Sequence, residues 1–465
     1  MRAKILLSLF MTVPLTAFGQ TPRPPVPESQ PLLLEDCISS ALTESTSVLK
    51  ARRDQELSGT QVLQSYLQFL PNLNAQAGLN SSVGNTFLSQ SVPSLVNGNS
   101  YGANYVVSTT LNIFNGFSDV ASWRASQDRR DSADKTLIRA KQQISLDISQ
   151  SFLQLVLDDK IVAIAQKNFK ASKDREILLE EQTKVGVRNK SDLFRQQAQT
   201  STDESFLITS QNKKQNDLIS LLRKLRRDPR GNYSVVEPAA IKDEKALDDA
   251  FVVPQEEEAV QKALAQRKDF AVSELNLEAA HEDVISVRAS YWPRLDFVAS
   301  YQASSRTFDN QSVNGANVLG ANNFDSLDNQ LRNQGSYLYG LLLTWNIFDN
   351  AINLVSVQKA RATAYKSELD RDDYRRQVIG DVKKALIDLS TSQQQLIASQ
   401  RGLVAAQKAY QVTEGRYEVG SMTYIDLATA QTALVQAEAT RAQTLIGYEL
   451  QKRVVDFAMG TTAIE

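Results

Sequence analysis

Thr183-Lys184-Val185-Gly186-Val187-Arg188-Asn189-Lys190-Ser191-Asp192-Leu193 is answered, 234 residues later, by Tyr417-Glu418-Val419-Gly420-Ser421-Met422-Thr423-Tyr424-Ile425-Asp426-Leu427. Both stretches carry Val-Gly, five intervening residues, then Asp-Leu. At the same offset Asn112-Ile113-Phe114 meets Asn346-Ile347-Phe348. Upstream, Phe69-Leu70-Pro71 and Tyr291-Trp292-Pro293 stand 222 apart, so the second copy holds twelve extra residues in one connection. Ordered matches of this kind mark two tandem copies of one unit. The organisation expected is repeat 1 over 34–227 and repeat 2 over 256–459, joined by a Pro/Gly-broken equatorial linker at 228–255, with a short tail at 460–465.

Around each Val-Gly element the pattern is helical and very long. Neither Asp119–Lys184 nor the run that returns from Asp192 to about Arg227 contains a proline or an internal glycine. The second copy has matching long runs over Asn353–Glu418 and Asp426–Phe457, also free of proline though Gly380, Gly402, Gly415 and Gly447 lie inside them. A run of some 66 residues spans about 100 Å as helix, far beyond a globular helix. Apolar seams such as Ile144, Ile148, Phe152, Leu155 and Leu427, Ala430, Leu434, Ala437 predict coiled-coil hairpins. Gly186 and Gly420 suit the left-handed position that ends a helix, and Ser191 or Asp426 is expected to cap the returning one.

Ahead of each coiled coil, a helical stretch (Leu34–Phe69, Glu256–Tyr291) stops at Pro71 or Pro293, and the period changes to two. Hairpins are expected over 72–115 and 294–348, in strands of about 10–13 residues, against the 9–11 that a tilted strand needs to cross a bilayer. Leu73, Leu79, Tyr105, Val107, Leu111, Phe297, Tyr301, Tyr339, Leu341, Leu343 and Trp345 fall on the apolar face, the expected lipid face. Tyr101, Tyr337 and Tyr339 sit towards one end, Trp292 and Trp345 towards the other, as an interfacial belt requires. The Asn/Ser/Gly-rich loops Gly84–Ser100 and Ser305–Gly335 suit the extracellular side. Met1–Gly19 reads as a cleaved export signal: Arg2 and Lys4, then Ile5–Leu15, then Ala17-Phe18-Gly19. The stretch 20–33 is a Pro-rich tail.

Composition removes other classes. The 465 residues carry 51 basic and 53 acidic side chains, a net charge of −2, which offers no basic excess for nucleic acid. One cysteine and one histidine exclude a disulfide framework and a thiolate/imidazole zinc site within the chain. No nucleotide-binding motif or catalytic constellation is present. The lone His281 lies in a helical run, and no enzyme activity or cofactor is implied.

Four strands cannot close a barrel, and an open sheet edge cannot stand in hydrocarbon. Copies must therefore share one: two supply 8 strands, three 12, four 16. The fold class expected is mainly α with a transmembrane β-barrel, each repeat a β-hairpin plus a long helical hairpin.

The tandem hairpins and the paired Tyr417-x-x-Gly420-x5-Asp426-Leu427 and Gly186-x5-Asp192-Leu193 elements resemble the TolC-type outer membrane efflux family. That resemblance covers Leu32 to about Met459. It implies a homotrimer with a 12-stranded barrel in the outer membrane above a periplasmic α-helical tunnel. The partners implied are a periplasmic adaptor and an inner-membrane pump of the RND, ABC or MFS type, in efflux or type I secretion. It places Tyr417, Asp426 and Asp192 in a periplasmic gate. The family's tip arginine is Met422 here, whereas Arg188 holds the sister position, and a second acidic position is Thr429. Repulsion among Asp426 carboxylates at the axis would raise their pKa. Val185, Gly186, Val187, Val419, Gly420 and Ser421 are the expected adaptor contacts. The alternative is a coiled-coil periplasmic adaptor or envelope scaffold, which also uses helical hairpins.

Overall fold

A computed structural model describes residues 30–87, 95–242, 254–313, 316–317 and 326–463. The export signal at 1–19, Pro24-Pro25-Val26-Pro27 and parts of both hairpin loops and of the linker lie outside the described residues. The elements run β1 (Gln30–Leu32), α1 (Leu34–Glu44), α2 (Thr46–Leu67), β2 (Asn74–Phe87), β3 (Leu95–Phe114), α3 (Ser118–Lys184), α4 (Lys190–Lys224), β4 (Tyr233–Val235) and α5 (Ala239–Lys242). The second half continues with α6 (Glu256–Gln266), α7 (Lys268–Arg288), β5 (Arg294–Val313), β6 (Ala316–Asn317), α8 (Leu327–Asn333), β7 (Ser336–Thr344), α9 (Ile352–Glu418) and α10 (Tyr424–Met459).

The repeat is metrically strict. α3 and α9 have 67 residues each and begin 234 apart. Each follows a non-glycine residue at positive φ, Phe117 (69°) and Ala351 (66°). The leading helices depart from expectation. Each is broken once, at Ser45 (ψ 138°) and at Arg267 (ψ 123°), again 222 apart. No proline or glycine marks either break, so helix-stop signals miss them. At Arg267 an ion cluster accompanies the break: its guanidinium reaches Asp269 and Asp381, and Arg139 of α3 approaches Asp269 at 3.3 Å.

Strands β2, β3, β5 and β7 form one antiparallel sheet in that order, with β6 a short annex on β5, while β1 and β4 pair in a separate two-stranded parallel sheet. Three strands are longer than the pattern suggested, at 14, 20 and 20 residues, and β7 is shorter, at 9. Most of the described Gly84–Ser100 stretch is strand, β5 runs on to Val313, and α8 occupies part of the second loop. Trp345, expected within a strand, falls one residue beyond β7; its indole donates to the Tyr291 carbonyl at 3.2 Å. Cross-strand partners share a face in an antiparallel sheet. Ala77↔Tyr105, Tyr105↔Ala303, Val107↔Tyr301, Leu111↔Phe297 and Phe297↔Leu341 thus join one apolar face across all four strands. Gly78↔Asn104, Asn104↔Ser304, Asn80↔Gly102 and Gly102↔Arg306 join the opposite, polar one. β2 and β7 are the outer strands.

Helix order repeats strand order. Near the sheet, α2 packs on α3, α3 on α7 and α7 on α9. Towards the tips, α4 packs on α3, α3 on α10 and α10 on α9. α9 is therefore one flank of the arc at every height, with β7 above it; α2, β2 and α4 form the other. The main core lies halfway down, where Cys37, Ile148, Phe152, Leu155, Leu222, Leu225, Val378, Leu389 and Val455 meet. Burying a side chain the size of Phe152 contributes about 2–3 kcal/mol, and that concentration fixes both long helices at their midpoints.

Candidate functional site at the hairpin tips

Each tip is a glycine-ended helix followed by a capped one. Gly186 (φ 79°) and Gly420 (φ 78°) occupy the left-handed position. The Gly186 amide donates to Thr183 and the Val187 amide to Gln182; Gly420 and Ser421 do the same to Tyr417 and Arg416. These paired bonds close the last turn of a helix. The caps of the returning helices differ from those expected. Asn189, not Ser191, caps α4, its side chain accepting from the Ser191 amide at 3.0 Å. Thr423 caps α10 and Asp426 completes a capping box, accepting from the Thr423 amide at 3.0 Å. Those hydrogen bonds from the Thr423 side chain and backbone hold the Asp426 carboxyl below its ordinary range. Within one chain the shift is thus opposite to the one repulsion at an axis would impose.

Arg188 and Tyr417 come together. The Arg188 guanidinium lies 4.5 Å from the centroid of the Tyr417 ring, and its Nη2 donates to the Tyr417 carbonyl at 3.2 Å. That contact ties the first tip to the second. Tyr417 is buried against Leu179, Tyr424 and Leu427, and its hydroxyl has no hydrogen-bond partner among the described residues. Burial pushes the phenol pKa up, the Arg188 charge pulls it down, and the net shift is upward. Asp192 stands in the first turn of α4, half-buried, and its charge also reaches Tyr417. Asp426 is exposed on the other returning helix and makes its hydrogen bonds to Thr423. Val185, Val187 and Val419 are exposed at 69–79%, and Gly186, Gly420 and Ser421 are also open to solvent.

One layer above the tips is a polar network that the Val-Gly repeat does not signal. Arg175 of α3 donates to Gln431 of α10 and to the Tyr410 hydroxyl of α9, the latter at 2.9 Å, and pairs with Glu414 at 3.7 Å. Gln431 also donates to Asn168 at 2.7 Å. The Tyr424 hydroxyl donates to buried Gln196, which donates to the Ser172 carbonyl at 3.0 Å. The clue was present as polar Asn168, Ser172 and Arg175 at i, i+4 and i+7, a stripe on a face where a seam predicts apolar residues. Between α4 and α10 runs an open groove of about 760 Å³, lined by Ala198, Thr202, Ile425, Ala428 and Thr432 among others. Among the described residues no group of acidic, histidine or cysteine side chains is placed to hold a metal ion, and no helix is long and apolar enough to cross a membrane.

Residues 259–452 match the family described as outer membrane efflux protein. The chain is 22% identical over 358 residues, 76% of its length and 69% of the relative's, to outer membrane protein TolC of Escherichia coli (strain K12). Its fold superposes on the CmeC outer membrane channel of Campylobacter jejuni with a TM-score of 0.76 at 16% identity, covering 92% of this chain and 85% of that one. For the outer membrane protein VceC of Vibrio cholerae the TM-score is 0.73 at 15% identity, covering 92% and 96%.

Proposed function

We propose, from the match of residues 259–452 to the outer membrane efflux protein family and the likeness of the whole fold to such channels, that this chain is the exit duct of a tripartite efflux or type I secretion system. Three copies share a 12-stranded barrel in the outer membrane, and their long helices continue it inward as a periplasmic tunnel. A periplasmic adaptor and an inner-membrane pump deliver cargo to the tunnel mouth, and the pump supplies the energy. The observation that carries this reading is the sheet. It has an apolar face, a polar face and two outer strands, and it merges strand by strand into an arc of helices whose flanks are also open. Unpaired strand edges in hydrocarbon cost several kcal/mol per group, so β2 and β7 need partners, and neighbouring copies supply them. The polar face then lines a wet lumen. An adaptor or scaffold built on helical hairpins gives no account of that sheet.

The tips form the gate of this duct. Arg188 holds the two hairpins of one chain together through Tyr417, in place of the tip arginine that Met422 replaces. Asp192 and Asp426 supply the acidic constriction, and the buried Tyr417 hydroxyl is left for a partner brought by a neighbouring copy. Val185, Gly186, Val187, Val419, Gly420 and Ser421 are the surface offered to the adaptor. Purified from outer membranes and added to a planar bilayer, the protein should give discrete conductance steps and run as a heat-modifiable oligomer. A stable water-soluble monomer that never inserts would refute the duct. For the adaptor surface, Ser421→Cys should cross-link to an adaptor in intact cells.

A further inference from the structure

The two repeats differ in one respect that the fold makes visible. α3, the long helix of repeat 1, is flanked near the sheet by α2 and α7, and near the tips by α4 and α10. Its repeat mate α9 is flanked by α7 and α10 on one side, and on the other its face is open. By the repeat offsets, α7 is the mate of α2 and α10 the mate of α4. What α9 lacks is therefore a second α2 and a second α4, which only another copy of this chain supplies.

The offsets also supply the register. Within one chain Lys167 of α3 pairs with Glu438 of α10 at 3.1 Å. Moved forward on the long helix and back on the returning one by 234, these positions are Arg401 and Glu204, again a base on the long helix and an acid on the returning one. Ser132 of α3 bonds Asn276 of α7 at 3.0 Å. The mates of that pair, 234 forward and 222 back, are Lys366 and Asp54, of opposite charge. All four side chains are exposed, and among the described residues none has an ion-pair partner in its own chain. Each shares its helix face, three or four residues away, with an exposed apolar side chain: Leu369 beside Lys366, Ile397 beside Arg401, Leu57 beside Asp54, Ile208 beside Glu204. Each flank thus sets its charges beside exposed apolar side chains, and at Arg401 and Glu204 the apolar neighbours Ile397 and Ile208 both lie on the sheet side of the charge.

We propose that the open flank of α9 docks on the α2/α4 flank of a second copy in the register in which α7 and α10 dock on α3, setting Arg401 against Glu204 and Lys366 against Asp54. This rests on the ring proposed above and adds its residue-level seam. Contacts between unlike flanks are head-to-tail, so each copy uses both, and the ring closes without a leftover surface.

The test uses the full-length protein in isolated outer membranes, where buried Cys37 is the native thiol. A short bismaleimide should join the R401C/E204C double variant into dimers and larger species resistant to SDS, whereas R401C or E204C alone stays monomeric. R401C/D54C, whose positions lie at different heights, should stay monomeric as well. Native electrophoresis of the same samples separates the two readings. An intact ring without cross-links in R401C/E204C overturns the register; a monomer overturns the ring and the register together. In a second measurement, Arg401→Glu should lower the temperature at which the oligomer dissociates, and R401E/E204R should restore it; loss without restoration counts against the pair.

Discussion

At the scale of single residues, the tip turns on two side chains. Arg188 lies over the Tyr417 ring and bonds its carbonyl, a contact whose cation–π part is worth about 0.5–2 kcal/mol. Arg188→Ala should therefore loosen the resting tip and raise single-channel conductance, while the amount of oligomer in membranes stays the same. Asp426 has two duties, the capping box and a negative charge near the mouth. Asp426→Asn keeps a hydrogen-bond acceptor for Thr423 and removes the charge, so block by multivalent cations should weaken with little change in assembly. The Thr423 hydrogen bonds lower the Asp426 pKa from its ordinary 3.8. The carboxylate is then charged at neutral pH, and block should persist as pH falls to about 4 and fade only below it. Unchanged block in the Asn variant would remove Asp426 from the constriction. Tyr417 was legible as a candidate from the family resemblance, and Arg188 from that resemblance carried across the repeat offset from Met422. Their direct contact was not, because it depends on how two helical hairpins lean together, which spacing along one chain does not encode.

At the scale of elements, glycine geometry and strand phase can each be tested. Gly186 and Gly420 sit at positive φ with no atom within 4 Å of where a Cβ would stand. The cost of Gly420→Ala is therefore conformational alone, about 1–2 kcal/mol, and should appear as a lowered unfolding temperature without a packing defect. If Gly420→Ala changes adaptor cross-linking but not stability, the residue serves close approach and not the turn. In β7, Leu341 pairs with Phe297 on the apolar face and Leu342 with Asp296 on the polar one. Leu341→Arg should cost roughly 2–4 kcal/mol in the bilayer midplane and reduce the folded oligomer; Leu342→Arg should assemble and shift ion selectivity. Equal assembly would reverse the strand phase. Alternation revealed that phase because a one-residue slip moves every side chain to the other face. Strand ends were less legible: Asn/Ser/Gly-rich segments look like loops, yet β5 continues through Ser304, Ser305 and Arg306 because β3 pairs with it there. The breaks at Ser45 and Arg267 were hidden for a related reason, since the ion cluster that accompanies the second break joins residues over 100 positions apart.

The whole molecule is held at its waist. Arg267, 4% exposed, binds Asp269 and Asp381, while Arg139 stacks 3.7 Å over Phe457 and approaches Asp269. Burial brings the Arg139 pKa down to about 10, against the pull of Asp269. Burial also pushes the Asp269 carboxyl up, but hydrogen bonds and charge from Arg267 and Arg139 prevail and hold it below 3.8. A depressed carboxyl stabilises the fold fully above its unfolded pKa and loses that contribution as pH falls through its folded one. The melting temperature should therefore drop as pH is lowered from about 4 towards 2, and Asp269→Asn should lower stability at pH 7 and flatten that acid limb. The tandem plan and the need for several copies were readable from the repeat and from strand arithmetic. The waist was not, since it gathers the break at Arg267 and residues of α3, α7, α9 and α10, most of them distant in sequence.

α9 reaches from the end of β7 to the tip without interruption, and the central core grips it between Val378 and Leu396. Mechanically that is a lever on a fulcrum, with arms of about 50 Å on either side. A tilt of about 5° that drew the lower end outward by roughly 4 Å would push the upper end, and the strand above it, inward by a similar amount. Dilation at the bottom without distortion at the top therefore requires the rod to flex below Leu396, where its grip on the core ends.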